Sequence, residues 1–340
     1  MRSSTLHFEP APRGTAGLLL TSVVIALLAC AGYTRWWNPE VRLYVHAVEV
    51  KEAWAEHLAQ TFTNRTLVFG GSSTSFSIDP ARMLDRDGLP VANYGLHAGM
   101  MTRFLTGFAA GSARPGDLLL MAMEPELLVV PSNGSDLAAQ MGFALDQPEW
   151  IHASNVTGEP VHWVENLISL RPGAYHCFTL LGKILLGKPL YRYSPTDFSE
   201  SGWQRTRERR EIASADHWSA HLTPDSRALL TALRQWGAAR DVRVAYLLPW
   251  QYVPEAKAAG FQADNLRFLV EISDYLPVLA DPRLGAYSVR EQFADTPLHL
   301  TPEGAAIRSD ELAALLKAGH FWTHDDLVRM QESFPSVPAE

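Results

Sequence analysis

The feature that most restricts this chain is the run Gly14 to Thr34, "GTAGLLLTSVVIALLACAGYT", twenty-one residues without a charge, bounded by Arg13 on one side and Arg35-Trp36-Trp37 on the other. About twenty apolar residues in a helix cross the hydrocarbon layer of a bilayer, so the run reads as a transmembrane anchor. The tryptophan pair suits an interfacial belt. Two other fates stay open: cleavage within Leu28 to Gly32, and lipidation at Cys30. All three place the downstream chain outside the cytoplasm. The short N-terminal tail favours a cytoplasmic segment over residues 1–13, an anchor over 14–35 and the remainder on the periplasmic or extracellular side.

The whole chain, 340 residues and 47% hydrophobic, is long and apolar enough for a sizeable core without staples. Its two cysteines, Cys30 and Cys177, draw no disulfide framework. With 29 basic against 37 acidic residues and a formal charge of -8, nucleic acid is excluded as an expected partner. No metal or organic cofactor is implied by any ligand spacing; His176 beside Cys177 reads as packing.

Residues 36–63 carry apolar positions at helical steps (Val41, Tyr44, Val48, Ala55, Leu58) and read as a linker helix lifting the domain from the membrane. From Thr66 the pattern changes to short apolar runs, "TLVF", "LLLMAM", "VRVAYLLP" and "LPVLAD", alternating with helical stretches. Continuous runs suit strands covered on both faces, hence an α/β fold with a central parallel sheet over 64–320. Two helix starts are marked by Thr223-Pro224-Asp225 and Thr301-Pro302-Glu303, each with a capping hydroxyl and proline in the first turn. About 131–216 reads as an insertion, and 321–340 as a C-terminal tail. The insertion offers Trp150, His152, Trp163, Tyr175, Tyr191, Tyr193 and Trp203, with Trp218 beyond it; core packing, sugar stacking and contact with a membrane partner are all open to them. "RTRERR", Arg205 to Arg210, reads as a solvated helix face or a contact for an anionic polymer.

Two constellations carry chemistry. "TLVF" delivers Gly70-Gly71-Ser72 to the carboxyl edge of the sheet, where ligands of open α/β folds gather, and the glycines allow a sharp turn and close approach. Far downstream, Asp295 and His299 sit on the loop before the helix at Pro302. A serine hydroxyl needs a base, which neutral imidazole supplies, and a carboxylate on the far ring nitrogen fixes the tautomer.

In order and position these motifs resemble the SGNH (GDSL-like) hydrolase superfamily. "FGGS" stands for its Gly-Asp-Ser block, which makes Ser72 the nucleophile, and Asp295 and His299 stand for its terminal Asp-His pair, spaced one residue wider than the commonest form. The resemblance implies a flavodoxin-like three-layer sandwich. "VANYGLHAGM" resembles the second block, so Gly95 or Gly99 would join the Ser72 amide in the oxyanion hole, with Asn93 shaping the loop. The third block departs: where the family carries an Asn that donates to the oxyanion, this chain has Glu124, which must be protonated, turned away or engaged elsewhere. Ser73, beside the nucleophile, is kept with Glu124 as a further site candidate.

The anchored arrangement is similar to envelope-polymer acylation proteins. That implies an esterase or O-acyltransferase acting on a cell-envelope polysaccharide or glycolipid, with a membrane-embedded acyltransferase as partner. The alternative from another class is a non-catalytic accessory protein on the same scaffold.

Overall fold

The computed structural model describes residues 13–130, 135–206, 208–214 and 221–334. The apolar run is helix α1 (Arg13–Gly32), continued by a wider turn at Tyr33–Trp37. Thr15–Trp37 is long and apolar enough to cross a membrane and none of its apolar window is buried. Asn38 then caps α2 (Pro39–Ala59), its side-chain oxygen accepting from the Glu40 and Val41 amides, with proline at the first helical position.

The linker expectation for α2 is corrected. Its face of Val41, Tyr44, Val48, Ala55 and Leu58 is packed into the same core as the sheet, each side chain 2% exposed or less. A helix with this much buried apolar surface is a structural layer of the domain.

The strands are β1 (Thr66–Gly70), β2 (Val91–Gly95), β3 (Leu118–Met121), β4 (Arg243–Tyr246), β6 (Val278–Leu279) and β8 (Phe321–Trp322), in the order β2-β1-β3-β4-β6-β8. All neighbours are parallel except β6 and β8. A separate pair joins β5 (Gln251–Tyr252) to β7 (Ala286–Tyr287). Between β1 and β3 run α3 (Ser72–Ser77), α4 (Pro80–Asp87) and α5 (Met101–Ser112). After β3 come α6 (Glu126–Val129), α7 (Asp136–Ala144), α8 (Pro148–Ile151), α9 (Ser154–Thr157), α10 (Trp163–Ile168), α11 (Ala174–Leu185) and α12 (Pro224–Ala239). The chain ends with α13 (Glu255–Ser273), α14 (Pro302–Ala318) and α15 (His324–Ser333).

The apolar runs are buried on both faces, as their lack of alternation requires. Leu67, Phe69, Leu119 and Met121 point to one side, where α2, α5, α12 and α13 pack; Val68, Leu118 and Leu120 point to the other, against α4 and α14. Both marked caps form: Thr223 accepts from the Ser226 amide and Thr301 from the Gly304 amide. The supposed C-terminal tail is corrected as well over its described part. β8 extends the sheet, and α15 buries Leu327 completely.

One register fixes the direction of the sheet. The Trp54 indole donates to the Val91 carbonyl, Lys51 reaches Asn93, and Tyr44 packs against His97 at 5.7 Å between ring centroids. As α2 ascends in number β2 descends, so α2 runs antiparallel to β1 and β2. The carboxyl edge of the sheet therefore lies at the Pro39 end of α2, beside the end of α1.

Candidate active site

β1 ends at Gly70, and Ser72 is the first residue of α3. The glycines answer to close approach. A Cβ on Gly70 would meet the Ala122 carbonyl oxygen at 2.3 Å, and one on Gly71 the two Glu124 carboxylate oxygens at 2.4 and 2.5 Å. Any side chain there displaces the turn that presents Ser72.

The two distant constellations meet. Ser72 Oγ is 2.9 Å from His299 Nε2, and His299 Nδ1 is 2.9 Å from Asp295 Oδ1. The carboxylate only accepts, so Nδ1 carries the ring proton, Nε2 is left as an acceptor, and the Ser72 hydroxyl donates to it. The loop holding the pair is pinned: the Ala294 amide donates to the His299 carbonyl, the His299 amide donates to Thr296 Oγ1, and Phe293 bridges Leu300. Phe76, from the helix that begins at Ser72, stacks on the imidazole with centroids 4.2 Å apart.

The insertion supplies two site residues that no motif in the sequence assigns to the site. Tyr193 donates its hydroxyl to Asp295 Oδ2 at 2.9 Å, and the Arg192 guanidinium lies 2.5 Å from the same oxygen. Burial pushes the Asp295 carboxyl up, but hydrogen bonds from His299 and Tyr193 and the neighbouring positive charge outweigh it and hold the carboxyl down to about 2. The same segment continues over α3: the Gln204 amide donates to the Ser75 carbonyl and the Trp203 indole to the Phe76 carbonyl. Tyr191 donates to Glu40, and Trp150 is core, against Phe108. Trp218 and the Tyr175 side chain lie outside the described residues, as does Arg207. The rest of "RTRERR" is not helical, and Arg210 pairs with Glu208.

The expected oxyanion donors are placed differently. The Gly95 amide donates to Asn93 Oδ1 at 2.9 Å, and the Gly99 amide donates to His97 Nδ1 at 2.9 Å. Both N–H groups are committed within the chain, which corrects their assignment as oxyanion donors. Gly95 serves instead as a seat for α3, since a Cβ there would meet the Ser75 amide at 2.3 Å. Asn93 does shape the loop: its amide nitrogen donates to the carbonyls of Thr74, Ser75 and Ile78, fastening α3 to β2.

Glu124 is engaged, one of the three fates open to it. Only 2% exposed, it accepts from the amides of Gly71 and Ser73 at 3.1 Å each, so one carboxylate clamps both residues that flank Ser72. Ser73 contributes that amide; its hydroxyl is buried without a hydrogen-bond partner. Among the described residues no group of three metal-ligating side chains occurs.

These features define an α/β protein with a hydrogen-bonded Ser-His-Asp chain at the carboxyl edge of a mostly parallel sheet, behind one helix able to cross a membrane. Comparison with protein-family models, curated proteins and solved structures gave no match.

Proposed function

We propose that the protein is a membrane-anchored serine hydrolase or O-acyltransferase of the SGNH type, its domain outside the cytoplasm, acting on acyl esters of a cell-envelope polysaccharide or glycolipid. The observation that carries this is the continuous hydrogen-bonded chain from Ser72 Oγ through His299 to Asp295. The polysaccharide or glycolipid class rests on the resemblance to envelope acylation proteins.

In this reading Ser72 Oγ attacks the acyl carbonyl carbon while its proton passes to His299 Nε2. Asp295, acceptor-only, stabilises the imidazolium through Nδ1–H. Collapse of the tetrahedral intermediate breaks the bond to the leaving oxygen, which takes the proton from Nε2. Water or a sugar hydroxyl then gives its proton to Nε2 and attacks the acyl-serine, and Ser72 leaves with that proton restored. Arg192 and Tyr193 position Asp295.

The test is labelling of the full-length protein with a fluorophosphonate, wild type against Ser72→Ala. Labelling that depends on Ser72 is expected. Its absence favours the second reading, a non-catalytic accessory protein docking on a membrane acyltransferase or binding polymer. What favours that reading is Glu124, whose carboxylate occupies two amides beside the nucleophile.

A further inference from the structure

α10 and α11 are built unlike the other helices of the domain. On α10, Trp163, Val164, Leu167 and Ile168 form one exposed stripe; on α11, Phe178, Leu181 and Leu185 form another, with Ile184 beside it. Phe178 and Leu185 are 76% and 77% exposed. A run of large apolar side chains this extensive is not left to water on a stable monomer, and it marks a surface that another apolar phase covers.

The position of the stripes says which phase. The Tyr33 hydroxyl, at the domain end of α1, is 2.8 Å from His176 Nε2 on the first turn of α11, and Thr34 Oγ1 donates to the Leu170 carbonyl between α10 and α11. Arg35 in the same turn makes two hydrogen bonds of 2.7 Å to Asp146 beyond α7. The apolar helices are thus stitched to the level at which α1 leaves its apolar stretch, where Trp36 and Trp37 are also exposed. Twelve residues of α11 extend only about 18 Å, too short to cross some 30 Å of hydrocarbon. Exposed Arg171 and Lys188 flank the helix, placed for lipid phosphates.

We propose that α10 and α11 lie within the interfacial layer of the bilayer that α1 crosses, their apolar stripes among the acyl chains and the flanking cations at the headgroups. The inference rests on α1 spanning a membrane. It gives the domain a second, broad membrane contact on the side of the sheet's carboxyl edge.

The experiment places an environment-sensitive fluorophore on single cysteines in the full-length chain, with Cys30 and Cys177 replaced by serine. The purified chain is reconstituted into phosphatidylcholine–phosphatidylglycerol vesicles, and quenching by spin-labelled lipids is measured. Phe178→Cys and Leu185→Cys report on α11, Leu20→Cys on α1, and Asp241→Cys on the exposed loop whose carbonyl accepts from Gly116 near the far end of α2. Blue-shifted emission and loss of most of the signal are expected at positions 178, 185 and 20, with position 241 unchanged. Quenching at 20 without quenching at 178 and 185 overturns the proposal while leaving the anchor intact; so does cross-linking of the 178 site to a second copy in its place. Absence of quenching at 20 overturns both, through the anchor.

Discussion

Replacing Glu124 by glutamine separates the two things its carboxylate does. The buried side chain accepts from the amides of Gly71 and Ser73, one on each oxygen. Glutamine keeps one carbonyl acceptor and turns an NH2 toward the other amide, so one buried donor loses its partner, at a cost of about 1–3 kcal/mol of stability. The chemical effect has the opposite sign. The carboxylate touches both neighbours of Ser72; for a charge about 5 Å from a developing oxyanion, at an effective dielectric of about 20, the repulsion is ~3 kcal/mol. Relief of that repulsion raises the rate by up to about 100-fold. The assay is Ser72-dependent hydrolysis of an activated acetate ester by the full-length protein, read together with thermal unfolding. A lowered melting temperature with faster hydrolysis is expected. If the Gln variant is folded at the assay temperature and hydrolyses no faster than wild type, the repulsion argument is wrong and the carboxylate assists the chemistry.

Asp295→Asn preserves shape but no longer holds the imidazole in the tautomer that accepts from Ser72; Ser72-dependent turnover, measured where the variant is still folded, falls by about 10³- to 10⁴-fold, and the melting temperature falls as well because the charge held by His299, Tyr193 and Arg192 is gone. Tyr193→Phe removes one of the groups that depress the Asp295 carboxyl. That carboxyl lies below its ordinary 3.8, so its contribution to stability is full above that value and is lost as pH falls toward about 2. The variant's acid unfolding midpoint, followed by circular dichroism, moves to higher pH. Lys51 is buried, and loss of solvent pulls its ammonium from 10.5 down to about 7 while it donates to the Gly202 carbonyl. The unfolded chain then binds the extra proton, so wild-type stability rises with pH between about 7 and 10.5; in Lys51→Met, chemical denaturation shows that slope flattened.

Much of this site is written locally. The strand runs of β1, β3, β4 and β6, the Thr-Pro caps of α12 and α14, and the residues Ser72, Asp295 and His299 are visible because each rests on neighbouring residues and a period. What the sequence hides is set by partners far along the chain. Tyr193 and Arg192 meet Asp295 across about a hundred residues, and no spacing rule reaches that far; an exposed-looking tyrosine between arginine and serine carries no mark of its acceptor. The oxyanion assignment of Gly95 and Gly99 failed for a related reason. A glycine advertises room for close approach but not what approaches, which here is α3 at Gly95 and the His97 ring at Gly99. The helical period of α2 was legible, whereas its burial was not, because amphipathicity records an apolar face without naming the surface that covers it.

The antiparallel register of α2 against β2 sets an altitude for the chemistry. Ser72 leaves the edge of the sheet near His97, which packs against Tyr44, five residues into a helix rising at ~1.5 Å per residue. Pro39 to Tyr44 accounts for roughly 8 Å of rise along that helix, so the Ser72 edge lies toward its Pro39 end, the end that follows α1. Since α2 is welded into the core and its base is tied to Asp146 by Arg35, the domain has no free neck on which to swing outward. Under the proposed function, acyl groups held at the lipid surface are within its reach from the start, while a chain growing high above the leaflet has to bend down to it.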